Sequence, residues 1–591
     1  MAAAPLPRKI QDSEGVEDKS NRGRGLGAMA RGQGAARFRE SMDGAAGSGL
    51  DCGIATDIQE VILPHKIVRL SLILAGAASL ALAQAKPIPQ LVKSGGKFTM
   101  LVDGKPFIIL GGQIHNPNAF PDLLEPAWPR LKALNANTVE YPVYWNEIEP
   151  QEGRFEFGDF DLILRKARSE GLRVILLWFG TWKNGSMDWA PNWVKSDTAR
   201  FPRVIDSGGK PIRNLSPHSK NNLDADRKAY VAMMQHLKAM DEADRTVIMM
   251  QVENESGLLG SVRDYTKESN ALFAGPVPEK LVTALKKKPG TWTEVFGADA
   301  DEAFTVYYLS SYIGEVAHAG KQVYPLPTYV NCWNGGHDTA DQWDSYDRPG
   351  ETYPSGGPVS HMLDLWKAAA PDIDILSSDT TKQPSENFRM INLRYTRPDN
   401  PYWSPEASEM TTGGRVFFWS LANLNGLGFG VYGVDMGSAP GLDPRFADLA
   451  ADFGFIRAAM PAITDLQQKG KLVAAIEEEK VRGKNLMFDQ YQVLVHFRPR
   501  ATATTPSARV LMGELGPDEF LILGFDSAVD FRPRVGSKYT AAQLLQADQV
   551  VWENGAWKTT GRGRTYQGSY DPPSVSLPAQ GAIYRVNLMR Y

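Results

Sequence analysis

Cysteine is nearly absent from this chain of 591 residues: Cys52 and Cys332 are too few for a disulfide framework and stand at no metal-ligand spacing. Neither sign of charge dominates, with 64 Lys and Arg against 68 Asp and Glu. That balance excludes the basic field that holds nucleic acid, and there is no acidic tail. Also missing are the Gly-x-Ser-x-Gly turn of a serine hydrolase, a phosphate-binding loop, and a Gly-x-Gly-x-x-Gly turn after the first strand. No metal and no cofactor is expected. What remains is the composition of a globular protein, 43% hydrophobic and 22% charged, with 14 Trp. Buried Trp is the default, yet Trp and Tyr at strand ends are also the faces on which sugar rings stack.

Residues 1–60 are rich in Gly, Ala and Arg and lack apolar periodicity, so they cannot bury enough surface to offset the entropy of ordering. A short basic segment, His65-Lys-Ile-Val-Arg69, then leads into the apolar run Leu70 to Leu82 and into Ala81-Leu-Ala83 and Ala83-Gln-Ala85, both of small-x-small form. This is the pattern of a secretory signal peptide, and its apolar part is shorter than the ~20 residues of a membrane-spanning helix. Residues 61–85 are therefore read as the signal, translation is expected to begin near Val61, and residues 1–60 are read as an annotation artefact. The mature protein is expected to be periplasmic or secreted, with no stable membrane anchor. N-terminal sequencing of exported protein reads this directly: a terminus near Gln84 or Lys86 agrees, and a retained Met1 does not.

From residue 98 strand-like and helix-like segments alternate. A hairpin turning at Asp103-Gly104 precedes the first strand, Phe107 to Gln113, and further strands are expected at 137–145, 173–179, 246–254, 328–333, 374–378, 401–404 and 415–419. Eight strands with helices between them predict an α/β fold, a (β/α)₈ barrel over residues 86–470. A doubly wound sheet is the rival, but it needs fewer units. Beyond a helix at 447–468 the pattern turns to short alternating strands with Pro and Gly clusters and a hairpin dipeptide, Asn554-Gly555. Residues 471–591 are read as an all-β domain that supports the barrel or binds carbohydrate.

Active sites of such barrels form at the C-terminal ends of the strands. There the sequence offers Gln113 and His115; Asn146, Glu147 and Glu149; Trp182 and Asn184; Asn254 and Glu255; Trp333 and Asn334; Asp379; Glu406; and Trp419 and Asn423. The fourth of these stands out, because the apolar run Val247 to Met250 ends abruptly in Gln251, Glu253, Asn254 and Glu255, and buried polar groups require partners or a ligand. Carboxyl groups, amides and aromatic faces together are what glycoside hydrolysis requires.

Four stretches carry a resemblance. Leu110-Gly-Gly-Gln-Ile-His115, Trp128-Pro-Arg-Leu-Lys-Ala-Leu-Asn-Ala-Asn-Thr-Val-Glu140, Val143-Tyr-Trp-Asn-Glu-Ile-Glu-Pro150 with Gly153-Arg-Phe-Glu-Phe157, and Gln251-Val-Glu-Asn-Glu-Ser-Gly257 resemble glycoside hydrolase family 35, the β-galactosidases. The resemblance implies a retaining exo-acting hydrolase of β-galactosides, with oligosaccharides or polysaccharide side chains as substrates. It places the acid/base on Glu255 and, by strand order, the nucleophile on Glu406, with Glu409, Glu386 and Asp379 as alternatives. Glu253 is read as structural. Asn254, Asn146, Trp182, Asn184, Trp333 and Trp419 are the expected sugar contacts. The chain departs from the family where its Tyr falls on Pro142, where an Ala-x-Glu pattern falls on Trp182-Lys-Asn184, and where the Tyr after Asn-Glu becomes Ser256. Those departures mark a divergent branch and leave open a β-glucoside, a β-arabinoside or a silent sugar-binding barrel.

Overall fold

A computed structural model describes residues 86–335, 348–380, 385–407, 413–437, 441–478, 481–498, 506–562 and 572–591. The expected extension and signal segments lie outside the described residues. Eight segments that are buried almost throughout form parallel strands: β1 (Ile109–Gln113), β2 (Thr138–Tyr144), β3 (Arg173–Lys183), β4 (Val247–Asn254), β5 (Thr328–Trp333), β6 (Ile375–Asp379), β7 (Ser404–Ala407) and β8 (Gly428–Tyr432). They follow one another in a single sheet, with β8 beside β1, and a bridge between Thr380 and Ala407 joins the edges at β6 and β7. This is the expected barrel, and a doubly wound strand order is not seen.

The barrel is filled from below. The hairpin Lys97–Val102 with Lys105–Pro106, turned at Asp103-Gly104 as expected, sends Met100 and Val102 under the strands, where they pack with Ile109, Ile175, Met249, Tyr329, Ile375 and Trp403. Chemistry is thereby confined to the opposite, C-terminal mouth.

The expected strand at 415–419 is a helix, Gly413–Asn423, and the eighth strand lies later, at β8. Aromatic and β-branched residues suggested a strand, but Val416, Phe417, Phe418 and Leu421 are all buried because the helix is covered on both sides, which hides the period of 3.6. Conversely β8 reads poorly as a strand because two of its five residues are glycine. Both are needed: a Cβ on Gly428 would collide with the Ile109 backbone, and one on Gly430 with the Glu140 carboxyl.

After the helix Ala447–Gln468 the chain forms a six-stranded and a four-stranded antiparallel sheet. Asn554 and Gly555, both at positive φ, turn Ala542–Glu553 into Ala556–Arg562. One face of the larger sheet packs on the smaller through Val510, Met512, Phe520 and Ile522. The other face, through Leu511, Leu521, Leu523 and Phe525, continues the core of the barrel.

Candidate active site

The C-terminal end of β4 departs from a regular pleat. Trp178 of β3 stands opposite Val252, and Lys183 opposite Asn254, so β3 bulges between them. Glu253 and Glu255 take φ of 64° and 43°, a left-handed conformation that costs a non-glycine residue roughly 1–2 kcal/mol. The surroundings impose it. The Glu253 carboxylate accepts the main-chain N–H of Thr181 at 3.1 Å and of Trp182 at 2.7 Å. Beside it Asp226, from the helix Lys220–Asp241, accepts from Trp178 Nε1 at 2.9 Å and Thr181 Oγ1 at 2.7 Å. Burial first, then the charge of Asp226, pushes the Glu253 carboxyl well above its ordinary range. Glu253 is thus a buried clamp on β3, which agrees with its structural reading.

Asn254 is oriented by its neighbours. Its Oδ1 accepts from Gln251 Nε2 at 2.8 Å and Asn331 Nδ2 at 3.4 Å, which turns Nδ2 toward Asn184 Oδ1, 3.4 Å away. Asn331 Oδ1 accepts the main-chain N–H of Glu255 at 3.0 Å, and Asn331 Nδ2 donates to Asp379 Oδ2 at 2.7 Å.

Four ionisable side chains from four strand ends meet in the mouth: Lys183, Glu255, Asp379 and Glu406, between 5% and 9% exposed. Burial pushes the Glu406 carboxyl up to about 8, the charge of Glu255 adds to this, and Lys183 and the nearby Gln113 amide oppose it. Burial raises Glu255 as well, against the pull of Lys183 and of a hydrogen bond with Asp379. Burial, then Glu406 and Glu255, hold Asp379 well above the usual carboxylate range. Lys183 is lowered by burial and supported by Glu255, Glu406, Asp379 and Asp188. Its ammonium has no ion-pair partner among the described residues and lies 5.1 Å from the Phe179 ring centroid. Carboxyls that cannot all ionise together, with one cation to favour an ionised member, are equipped for coupled proton donation and nucleophilic attack.

Beneath Glu406, Glu140 of β2 fills space left by Gly111 and Gly430, and neither of its oxygens has a hydrogen-bond partner among the described residues. Burial and then the charge of Glu406 push its carboxyl well above the ordinary range, which favours the neutral form in the barrel core.

The expected sugar contacts divide. Trp333, at the end of β5, is 40% exposed and offers a free face, and Asn184 is exposed beside Asn254. Trp182 is fully buried, edge-on to Tyr312 at 4.7 Å, because the pleat that turns Lys183 into the mouth turns its neighbour outward. This corrects its reading as a sugar contact. Trp419 lies on the helix Gly413–Asn423 and not on a strand, and packs beside Arg389 at 5.9 Å. Asn146 sits in a short helix with its amide 2.7 Å from Glu147, and no hydrogen bond links it to the carboxyl cluster among the described residues. Of the alternative nucleophiles, Glu386 is exposed on the helix Ser385–Tyr395, Glu409 lies outside the described residues, and Asp379 is inside the cluster. Lys183, Asn331 and Glu140 were not singled out from sequence. The one available signal was Lys183 itself, a lone charge ending the apolar run Val174 to Trp182.

Residues 99–316 match the family described as Glycosyl hydrolases family 35, and residues 449–563 match a domain of unknown function, DUF5597. A β-galactosidase of Xanthomonas manihotis is 31% identical over 219 residues, 34% of this chain and 32% of that protein. Beta-galactosidase-1-like protein 3 of Homo sapiens is 29% identical over 200 residues, 33% of this chain and 28% of that protein. The chain thus spans about a third of the length of these curated relatives. The crystal structure of β-galactosidase from the psychrophilic Marinomonas ef1 is 13% identical with a TM-score of 0.42, over 61% of each chain, a likeness too loose to carry an argument.

Proposed function

We propose, starting from the match of residues 99–316 to glycosyl hydrolases family 35, that the chain is a retaining, exo-acting glycoside hydrolase that removes terminal β-D-galactosyl residues from β-galactosides. The observation that carries this reading is the meeting of Glu255 and Glu406 from opposite sides of the barrel mouth, both nine-tenths buried and electrostatically coupled. Retention uses two carboxyls ~5 Å apart.

Glu406, ionised and supported by Lys183, attacks the anomeric carbon while the bond to the leaving oxygen breaks. Glu255 gives its proton to that oxygen. The covalent intermediate neutralises Glu406 and so removes a negative charge from the mouth; Glu255, ionised by its proton transfer, then deprotonates water and the water displaces Glu406. Asn254 Nδ2, turned toward the exposed Asn184, donates to the sugar 2-hydroxyl, and Trp333 supplies a flat apolar face.

A panel of nitrophenyl glycosides tests the sugar: turnover greatest on the β-galactoside agrees, and preference for a β-glucoside or β-arabinoside reassigns the substrate. Following the first-formed anomer by NMR tests retention, and an initial α-product rejects the scheme. Glu406→Gly should lose activity and regain part of it with azide as an α-glycosyl azide, whereas Glu255→Gln should harm substrates with poor leaving groups far more than activated aryl glycosides. Full activity in either variant removes that residue from the mechanism.

A further inference from the structure

The proposed hydrolysis uses two carboxyls, and the mouth contains a third. Asp379 is held in place from several sides: Asn331 Nδ2 donates to its Oδ2 at 2.7 Å, Asn334 Nδ2 donates to its main-chain carbonyl, and Ser378 Oγ donates to Asn334 Oδ1 at 2.6 Å. The same Asn331 accepts the Glu255 main-chain N–H at 3.0 Å, so one amide ties the Glu255 main chain to the Asp379 carboxyl. The second oxygen of Asp379, Oδ1, is buried with no hydrogen-bond donor among the described residues. Each acid also acts on the other's ionisation: Asp379 eases that of Glu255, and the charge of Glu255 is among the causes that hold Asp379 high. Two carboxylates in contact and out of water repel, whereas one proton between them converts the repulsion into a short O–H···O⁻ bond.

We propose that Asp379 is a positioning residue that shares a single proton with Glu255, so that the acid/base of the reaction is the pair rather than Glu255 alone. This inference rests on the hydrolase reading. In the first step the shared proton passes to the leaving oxygen as the glycosidic bond breaks, leaving both members of the pair ionised. Their mutual repulsion makes the pair a stronger base for the second step, in which it takes one proton back from the attacking water. The groups that face the pair are Lys183 from β3, Glu406 from β7, Tyr329 from β5 and Tyr432 from β8, with Glu140 behind Glu406. Lys183 is the one cation in that set.

Because a second ionisation would set two negative charges against each other, the pair holds its last proton to higher pH than Glu255 would alone. In Asp379→Asn that repulsion is gone, so the basic limb of the pH profile of kcat/KM should move toward acid by about one pH unit or more on substrates with poor leaving groups. Activated aryl glycosides should keep their glycosylation rate, and Asp379→Glu should restore part of the limb. A folded Asp379→Asn enzyme that loses rate equally on both substrate types, with its basic limb in place, overturns the proposal.

Infrared spectroscopy at pH 7 reads the proton without turnover. Among the protonated-carboxyl bands of the buried acids, one that is lost in both Asp379→Asn and Glu255→Gln is expected, while the bands of Glu140 and Glu253 stay in place; separate bands, each lost in only one variant, or no loss in either, overturn the sharing. A wild-type protein inert on every glycoside would sink the hydrolase reading and leave the infrared result to decide the pair.

Discussion

Glu253 accepts the main-chain N–H of Trp182 at 2.7 Å, so the strand that carries the proposed acid/base also grips the strand that carries Lys183. A second N–H, from Thr181, shares the same carboxylate at 3.1 Å. Glu253→Ala strands both donors in the interior, at roughly 1–3 kcal/mol for each unsatisfied group. Denaturant unfolding should show a loss of about 3 kcal/mol, and kcat should fall as Lys183 shifts. Glu253→Gln should be milder, because its amide oxygen still accepts and its NH₂ can donate to Asp226. An alanine variant as stable as wild type would show that the clamp is dispensable.

Lys183 stabilises the ionised form of Glu406 by charge alone, since it makes no ion pair among the described residues. In Lys183→Met that support is lost and the Glu406 pKa, already pushed up to about 8, rises further. The nucleophile must be ionised, so the acidic limb of kcat/KM should move to higher pH. Below the limb, activity should drop tenfold for every pH unit by which the limb has moved. An activated aryl glycoside isolates this effect from proton donation. A limb that stays in place, or moves to lower pH, contradicts the assignment.

Glu140 gives a stability prediction whose sign follows from linkage. Its folded pKa is raised by burial, so between the unfolded and folded values the native state holds a proton that the unfolded chain has released. Stability therefore falls as pH rises through that window, by up to ~1.4 kcal/mol per pH unit for one proton. Glu140→Gln keeps the shape without the titration, so melting temperatures of wild type and variant should converge near pH 4 and separate, variant above, toward pH 8. Parallel curves would mean that Glu140 does not titrate differently on folding.

The strand ends were legible where an apolar run stops in polar residues. Val247 to Asn254 is the plainest case, and it located Asn254, Glu255 and the structural Glu253 without any knowledge of the strand order. Glu406 was reached by counting strands, and the count survived an error because the misplaced element, Arg415 to Trp419, follows it in the chain. Trp182 and Lys183 were exchanged for a different reason. A strand buried on both faces has no polar alternation, so nothing in Arg173 to Lys183 reveals which neighbour points inward, and the bulge that sets this phase depends on Glu253, seventy residues on. Asn331 and Glu140 were invisible in a similar way: each sits inside a run that reads as ordinary strand, and its partners come from other strands.

The shared core bears on how this chain can be divided. Between β7 and β8 the helix Gly413–Asn423 packs on the β-domain strands Leu472–Ile476 and Arg509–Gly516, and Arg415 within it donates to the carbonyl of Glu477. The fully buried Arg509 reaches back to Asp452 at 2.8 Å. A cut at residue 470 falls between two folds as they are drawn, yet it would uncover one wall of the first and strand Asp452 as an unpaired acid. Homologous exchange of the C-terminal region alone would have to preserve that wall and that guanidinium. The unit that can be inherited, shuffled or expressed intact is the barrel together with its buttress.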